Sequence, residues 1–426
     1  GRGGVDPVRW PDVATVPTGP RAAVAARVTT GLIRSVARSL DVRVALPDGT
    51  VLGGKAGRTD LPLLQVRRLD DLARRVGTHG LIGFGEAYMA GDWEADDLTA
   101  VLTAFAERVE DIVPASWQRL RAAYVARHPS AEVNSVENTQ SNISRHYNLS
   151  NDLFASFLDP SMAYSSALFT TADPSEAELA DAQAAKFDRL LDEARVGPGT
   201  QLLEIGTGWG ELALRAARRG AHVTTVTLST EQADLATRRV AEAGLSDQVE
   251  ILVRDYRLVE GTYDAVVSVE MIEAVGLDYL GEYFATIERV LRPGGRAAIQ
   301  AITMPDHRML ATRDTYTWVH KYIFPGGLIP SLEAMDRAMA PSGLRVAEDL
   351  AMGPSYAQTL RMWDDRFERA WPSLDLGLDE TFRRMWHFYL CYSRAGFEAS
   401  YLDVHQLSIE RVDQRVSTDD LQEASA

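Results

Sequence analysis

Residues 201–210, QLLEIGTGWG, constrain the fold of this chain more than any other stretch. A short apolar run ends at Glu204, and three glycines then alternate with other residues in a G-x-G-x-G array. The residues that follow, 211–220, place apolar side chains at helical spacing. This order predicts a buried strand, a tight turn and a helix N-terminus, where backbone N–H groups favour a nucleotide-like ligand. An ordinary tight turn is the alternative that this stretch alone leaves open.

The kind of nucleotide depends on the residues beyond the glycine array. A nicotinamide site requires its third glycine one position later, where Glu211 stands, and an acidic residue about twenty positions further on for the ribose. The next predicted strand, residues 222–227, instead runs into threonine, leucine and serine. The pattern therefore favours S-adenosylmethionine over NAD.

Strand and helix patterns alternate through the second half of the chain. The strands are predicted at residues 201–205, 222–227, 249–253, 263–269, 296–302 and 402–411. Helical patterns lie between them at residues 211–219, 231–243 and 280–290, and an aromatic segment at 304–330 interrupts the alternation. Such alternation is typical of a doubly wound parallel sheet that binds its ligand at the carboxyl ends of the strands. The predicted fold class is α/β, a Rossmann-like sheet with an aromatic helical insertion.

A chain of 426 residues is too long for one compact core, and it predicts two domains. Residues 1–127 are predicted as a smaller N-terminal α+β domain. Its expected elements are helices at 21–40, 69–75, about 98–108 and 117–127, a β-hairpin at residues 42–49, and a glycine-rich turn at 80–85. Residues 128–142 are polar and aperiodic, which predicts a linker, and residues 143–426 form the predicted catalytic domain.

Composition and charge exclude several classes of protein. The net charge of −16 argues against nonspecific nucleic-acid binding, which depends on basic surfaces. No apolar run reaches the roughly 18 residues that a membrane-spanning helix requires. Residues 1–10 show no signal-peptide pattern, and the single cysteine, Cys391, is typical of a reducing compartment. The expected location is cytoplasmic.

Residues 21–40 depart from the acidic composition of the chain. No acidic residue occurs between positions 13 and 40, whereas arginines recur there. Apolar residues lie four apart along one helical stripe, at Val24, Val28, Leu32, Val36 and Leu40. The segment is predicted either as an amphipathic helix packed on its own domain or as a helix lying on a membrane surface. The second alternative predicts a peripheral protein at the inner face of the membrane.

Several separated stretches of the chain together resemble one known family. They are GEAYMAGDW (85–93), HYNLSNDLF (146–154), MAYSSALF (162–169), LLEIGTGWG (202–210), VTLSTEQ (226–232), SVEMIEAVG (268–276), YIFPGGLIPS (322–331) and SYAQTLRMW (355–363). In this order they resemble the cyclopropane-fatty-acid synthase family of S-adenosylmethionine-dependent methyltransferases. Residues 300–310, QAITMPDHRML, are most similar to its actinobacterial branch, which makes 10-methyl or 10-methylene fatty acids of the tuberculostearic type.

The resemblance implies a class I methyltransferase fold and assigns a set of residues to the cofactor. These residues are Tyr164, Ser165, Glu204, Gly206, Gly208, Thr227, Gln232, Asp255 and Tyr256. The glycines would admit the methionine part of S-adenosylmethionine, while Thr227 and Gln232 would bond the ribose hydroxyls. Asp255 would accept a hydrogen bond from the adenine amine. A strand end at Thr227 and a turn cap at Asp255 are the alternatives.

The resemblance also implies a base site that a bound bicarbonate assists. Many members of the family hold that anion with a glutamate, an isoleucine backbone, a tyrosine, a cysteine and a histidine, positions that fall here on Glu273, Ile302, Tyr356, Ser166 and Gln300. Serine and glutamine still donate hydrogen bonds to an anion, but neither titrates near neutral pH. Bicarbonate binding is therefore left open. Glu273 becomes the leading candidate to orient the base or to act as the base, with a purely structural carboxylate as the alternative.

The implied reaction is C-methylation at the cis double bond of an unsaturated fatty acyl chain, expected in an oleoyl phospholipid of a membrane. The favoured product is a 10-methylene chain, which a separate reductase would convert to a 10-methyl chain; a cyclopropane is the alternative. A non-catalytic lipid-binding protein and a small-molecule N- or O-methyltransferase are the rival functions. No metal site is predicted, because the eight histidines show no zinc-like spacing. A homodimer is expected from the resemblance alone.

Overall fold

The computed structural model of this protein describes residues 4–53, 58, 60–108 and 149–411. Its strands are β1 (Arg43–Ala45), β2 (Val51–Leu52), β3 (Leu63–Val66), β4 (Trp93–Ala95), β5 (Gln201–Ile205), β6 (His222–Thr227), β7 (Val249–Val253), β8 (Tyr263–Val269), β9 (Leu291–Thr303), β10 (Leu344–Ala351) and β11 (Asp403–Arg411). Its α-helices are α1 (Pro11–Ala14), α2 (Pro20–Ser39), α3 (Leu69–His79), α4 (Leu81–Met89), α5 (Leu98–Glu107), α6 (Asn151–Phe157), α7 (Leu179–Glu193), α8 (Glu211–Arg218), α9 (Thr230–Glu242), α10 (Leu280–Val290), α11 (Asp306–Thr312), α12 (Trp318–Tyr322), α13 (Leu332–Met339), α14 (Gly353–Ala370) and α15 (Glu380–Glu398). The predicted linker at 128–142 and the predicted helix at 117–127 lie outside the described residues.

Seven strands form the larger sheet, in the order β10-β11-β9-β8-β5-β6-β7. Neighbouring strands from β9 to β7 are parallel, and β11 is antiparallel to both β9 and β10. Each predicted strand is present, which confirms the α/β fold class. The sequence did not predict β10, because this edge strand buries only Leu344 and so lacks an apolar period.

The central strand β5 supports a core on each face of this sheet. Leu202 packs into an apolar cluster with residues of α7 and α8, while Leu203 and Ile205 pack into another cluster with residues of α10. Consecutive strand residues point to opposite faces, so a continuous apolar run requires helices on both faces. The glycine array is thereby held at the carboxyl end of a strand that is buried on both sides.

A second compact unit contains the described part of residues 1–128 together with residues 314–323 and 360–401. Its four-stranded sheet has the order β2-β1-β3-β4, and β1 and β2 form the predicted antiparallel hairpin. The compact units therefore differ from the linear division into residues 1–127 and 143–426 that the sequence suggests.

Aromatic packing explains why two late segments join the N-terminal unit. Phe388 of α15 lies with its ring centroid 6.3 Å from that of Trp93 in β4 and 4.7 Å from that of Trp318 in α12. Edge contacts between such rings add stabilisation beyond the apolar area that they bury. Because Phe388 is nearly 300 residues from Trp93 and 70 residues from Trp318, no local pattern in the sequence reveals these contacts.

Residues 80–85 lie mostly in helix α4, so the prediction of a glycine-rich turn there is wrong. A Cβ atom on Gly83 would collide with the backbone of Arg75, and one on Gly85 would collide with the indole ring of Trp318. The two glycines therefore allow close packing of this helix rather than chain reversal.

Helix α2 confirms the predicted helix at 21–40 but packs through a different face. Ala22, Ala26 and Thr29 are buried, whereas Val24 and Val28 of the predicted apolar stripe are 62% and 46% exposed. The small side chains allow close approach to α3, since a Cβ on its Gly77 would lie 2.9 Å from atoms of Ala25. Part of the apolar stripe is consequently left on the surface.

Candidate functional site

A cavity of about 180 Å³ lies at the carboxyl ends of the parallel strands. Its wall contains all nine residues that the resemblance assigns to the cofactor: Tyr164, Ser165, Glu204, Gly206, Gly208, Thr227, Gln232, Asp255 and Tyr256. These residues come from four segments that are distant along the chain. The ends of neighbouring parallel strands meet at one edge of the sheet, which brings the segments together.

The glycine array turns the chain from β5 into α8. Gly206, Gly208 and Gly210 have φ values of +97°, +52° and +93°, in the region that side chains with a Cβ atom rarely adopt. A Cβ atom on Gly206 would meet Met271 at 3.2 Å, whereas one on Gly208 would meet no atom within 4 Å. Since Gly208 lines the cavity, the space beside it is open for a ligand.

Glu204 lies one residue before the end of β5, and its side chain lines the cavity. Its side chain is buried, and within the described part of the chain its Oε2 atom has no hydrogen-bond partner. Burial raises the pKa of Glu204 to about 8, against the opposing hydrogen bond of Thr225. A buried polar atom without a partner in the wall of a cavity fits a ligand that supplies the missing hydrogen bond.

Two hydrogen-bonded pairs of polar residues line the cavity at the ends of β6 and β7. Thr227 Oγ1 donates to Gln232 Oε1 at 3.3 Å and accepts from the N–H of Ser229 at 3.1 Å. The Asp255 carboxylate is paired with Arg257, with contacts of 2.9 and 2.6 Å to Nε and Nη2. Asp255 keeps further lone pairs, so this pairing leaves it able to accept from an adenine amine.

Lys186 is a buried residue near the cavity that the sequence analysis missed. Its Nζ donates to Ser165 Oγ at 2.5 Å, and Ser165 is one of the residues that the resemblance assigns to the cofactor. Burial lowers the pKa of Lys186 to about 7, against the charge of Glu270. The signal that would have identified it is a lysine beside Phe187 among the apolar residues of the stretch that forms α7.

Glu270, which the sequence analysis also missed, is the centre of a hydrogen-bond network in the cavity wall. Its Oε1 accepts from the Ser166 N–H and from Gln300 Nε2, both at 2.8 Å, and its Oε2 accepts from the Tyr356 hydroxyl at 2.6 Å. Its backbone has a φ of +48°, a strained value that often marks functional positions. An acidic residue directly after the buried strand β8 was the available signal.

Burial raises the pKa of Glu270 above that of an ordinary glutamate, although the Tyr356 hydroxyl, the charge of Lys186 and the other donors oppose this effect. Three of the five predicted catalytic residues, Ser166, Gln300 and Tyr356, therefore converge on a carboxylate that the prediction did not include. The hydroxyl of Ser166 itself donates to the carbonyl of Ala167 at 2.9 Å.

The other two predicted catalytic residues form a separate contact. Glu273 Oε1 accepts from the Ile302 N–H at 2.5 Å. Among the described residues Glu273 Oε2 has no hydrogen-bond partner, and burial followed by the charge of Glu270 raises the pKa of Glu273 to about 8. Glu270 lines the cavity, whereas Glu273 is absent from its wall.

The fold and this site together define a class I S-adenosylmethionine-dependent methyltransferase. The cyclopropane synthase MmaA2 from Mycobacterium tuberculosis superposes with a TM-score of 0.59 at 29% identity, over 63% of this chain and 97% of that structure. Mycolic acid cyclopropane synthase CmaA1, solved with SAH and CTAB, gives a TM-score of 0.58 at 28% identity over the same shares.

The chain belongs to the mycolic acid cyclopropane synthetase family, whose profile matches residues 134–407. It is 53% identical over 413 residues to tuberculostearic acid methyltransferase UfaA1 of Mycobacterium tuberculosis, covering 96% of each chain. It is also 34% identical over 347 residues to cyclopropane-fatty-acyl-phospholipid synthase of Escherichia coli K12, covering 80% of this chain and 86% of that relative. The predicted family, fold class and S-adenosylmethionine-dependent enzyme class are confirmed.

Proposed function

We propose that this chain methylates the double bond of an unsaturated fatty acyl chain and releases a methylene-branched product. The observation that carries this proposal is the buried carboxylate of Glu270, which three donors hold in the wall of the cavity. Similarity to a tuberculostearic acid methyltransferase over almost the whole chain supports the choice of reaction.

The residues around the cavity suit S-adenosylmethionine. Gly208 leaves space for the methionine part, Glu204 offers an unpaired acceptor, and Lys186 orients the Ser165 hydroxyl. Bound there, S-adenosylmethionine supplies an electrophilic methyl group to the double bond. The chain's own residues then have two tasks. They exclude water from the carbocation that methylation leaves on the fatty acyl chain, and they accept the proton that this carbocation must lose.

We assign the proton-accepting role to Glu270 rather than to Glu273. Three hydrogen bonds and the charge of Lys186 stabilise the ionised form of Glu270, whereas Glu273 has one N–H donor and a pKa of about 8. When two neighbouring carboxyl groups titrate together, the group with more donors carries the negative charge. At neutral pH, Glu270 is therefore the base and Glu273 the protonated neighbour.

The same network bears on bicarbonate. The predicted bicarbonate ligands already donate to carboxylates of the chain, because Gln300 and Tyr356 donate to Glu270 and the Ile302 N–H donates to Glu273. We infer that the Glu270 carboxylate takes the place that a bound anion would have, and that turnover needs no added bicarbonate.

The timing of proton loss from the new methyl group, before or after a hydride shift, decides the product. The π electrons of the double bond form the new carbon–carbon bond as the sulfur–methyl bond breaks, which would leave a neutral thioether and a cation on the neighbouring carbon of the acyl chain. A hydride shift to that carbon moves the cation beneath the new methyl group, and loss of a methyl proton to Glu270 then forms an exocyclic double bond. Loss of the proton before the shift would instead close a cyclopropane. A reductase acting afterwards would saturate the methylene to a methyl branch.

Lipids from cells that express the chain in an oleate-containing membrane are expected to gain a 10-methylene acyl chain. Gas chromatography–mass spectrometry measures the gain of one methyl-derived carbon, and cells that express the Gly208→Val variant provide the control. The methylene and cyclopropane products have the same mass, but ozonolysis cleaves only the methylene. An ozone-resistant product would contradict the assigned proton loss, and no new lipid would favour the non-catalytic lipid-binding alternative.

Helix α2 supports a peripheral contact with the membrane that holds the substrate. Its exposed surface carries Val24 and Val28 beside Arg27 and Arg34, in a segment without acidic residues. Apolar side chains with flanking arginines suit an anionic lipid surface. In the part of the chain that the structure describes, no helix is long and apolar enough to cross a membrane. A cytoplasmic location at the inner face and a homodimer stay predictions.

The variant Arg27→Ser/Arg34→Ser is expected to bind anionic vesicles about 30-fold more weakly at low salt, since each arginine near such a surface contributes about 1 kcal/mol. Co-sedimentation with vesicles of phosphatidylglycerol and oleoyl phosphatidylcholine measures this loss. Val24→Ser/Val28→Ser should also weaken binding, whereas Val253→Ser, which changes a valine of similar exposure on β7, should not. Equal sedimentation of all variants would end the α2 proposal.

A further inference from the structure

Helices α14 and α15 bring four metal-ligating side chains together within the N-terminal unit. Asp364 and Glu368 lie four residues apart on α14, and His387 and Cys391 lie four residues apart on α15. Residues at this spacing project from one face of a helix, so the two facing helices bring these side chains close together, and ligand atoms of Asp364, His387 and Cys391 converge. We call these four residues the α14–α15 cluster.

The distances within the cluster are those of a compact donor set. His387 Nδ1 lies 2.7 Å from Asp364 Oδ1, and Cys391 Sγ lies 3.5 Å from Asp364 Oδ2 and 3.8 Å from His387 Nδ1. One ligand atom from each of these three residues falls within 4.8 Å of the others. Tetrahedral zinc, with bonds of about 2.0 to 2.3 Å, places its ligand atoms about 3.3 to 3.7 Å apart, so only small movements are needed.

Glu368 provides a second, independent indication of a cation. Its Oε2 accepts from Arg383 Nη1 at 2.5 Å, whereas its Oε1 lies 4.0 Å from His387 Nδ1. That Oε1 atom is buried and has no hydrogen-bond partner among the described residues. A buried carboxylate oxygen that has no hydrogen-bond donor and lies close to an imidazole nitrogen of the cluster is free to contact a bound cation.

We propose that the α14–α15 cluster binds a divalent transition-metal ion of the zinc type and that this ion clasps the two helices. The mixture of thiol, imidazole and carboxylate donors favours zinc over magnesium or calcium, which prefer oxygen alone. Binding displaces the thiol proton of Cys391 to solvent, and the imidazole of His387 binds as a neutral ligand with its proton on the other ring nitrogen. The ion is structural, because none of its ligands lines the cavity at the sheet edge.

The full-length chain, purified without chelator from zinc-supplemented cells, is expected to contain about one equivalent of zinc by elemental mass spectrometry. His387→Ala and Cys391→Ser should each lose most of it. His405→Ala is the matched control, because His405 also contacts a carboxylate, Asp349 at 2.6 Å, but lies in the larger-sheet unit outside the cluster.

Cobalt substitution gives a readout that does not depend on activity. A thiolate-to-cobalt charge-transfer band should appear in the unaltered chain and in His405→Ala and disappear in Cys391→Ser. Circular dichroism checks that each variant is folded. If His387→Ala does not fold, Cys391→Ser, which replaces a single sulfur atom by oxygen, still tests the metal site. The proposal is overturned if the folded chain binds no zinc, if both cluster variants retain it, or if cobalt binds without the band.

Discussion

Changing Glu270 to glutamine is expected to lower turnover at neutral pH by at least about 100-fold, the usual scale for loss of a general base. Glutamine keeps the size of the side chain, and its amide oxygen can still accept the hydrogen bonds of the Ser166 N–H and Gln300, but it cannot take a proton from the methylated acyl chain. Affinity for S-adenosylmethionine should stay within a few-fold, because the glycine array, Thr227 and Gln232 remain unchanged. Methyl transfer to an oleoyl phospholipid and titration calorimetry measure the two quantities separately.

Glu273→Gln is the matched control for the Glu270 variant. Since burial raises the pKa of Glu273 to about 8, the residue is mostly protonated at pH 7, and a neutral glutamine should cost only a few-fold in rate. The rate of the unaltered enzyme should rise as pH increases through the raised pKa of Glu270, because a base acts only when ionised. If Glu273→Gln loses most of its turnover while Glu270→Gln keeps a near-normal rate, Glu273 is the base and Glu270 is its neighbour.

Replacing Gly208 with valine is expected to abolish cofactor binding. The new side chain would project from the glycine array into open space beside the cavity, where the methionine part of the cofactor is proposed to lie. Titration calorimetry should detect no binding of S-adenosylmethionine or of its demethylated product, and turnover should fall below detection.

A positive φ also strains valine, so the Gly208 variant needs a control for strain alone. Gly244 has a φ of +69° and likewise no neighbour within 4 Å of a Cβ atom, but it does not line the cavity. Gly244→Val should lower the melting temperature while leaving cofactor affinity nearly unchanged. If Gly208→Val still binds the cofactor with unaltered affinity, the proposed position of the methionine part is incorrect.

Helix α2 shows how far a helical period can be interpreted without a structure. The period of residues 21–40 correctly predicts a helix. The stripe with the larger apolar residues, however, is exposed at Val24 and Val28 rather than packed. Alanines at positions 22 and 26 allow α2 to approach α3 closely. Atoms packed this closely gain dispersion attraction, which can exceed what the larger side chains of the opposite face would gain at a greater distance. Which face of α2 is buried depends on the shape of the neighbouring helix α3, and the hydrophobic period of α2 contains no information about that neighbour.

The sequence by itself determined the catalytic sheet and the composition of the cavity wall. An apolar run, a G-x-G-x-G array and a helical pattern are local features, and the topology of parallel strands carries their ends to one edge. For that reason, nine residues chosen by resemblance all line one cavity.

Only the tertiary structure decided which carboxylate stands at the centre of the hydrogen-bond network in the cavity wall and which side chains meet between α14 and α15. Glu270 draws its donors from three segments, at Ser166, Gln300 and Tyr356, that span nearly 200 residues. The cluster at Asp364 and His387 likewise depends on two helices facing each other. Hydrogen bonds and metal ligands act over about 3 Å in space at any separation along the chain, so a pattern of neighbouring residues does not contain them.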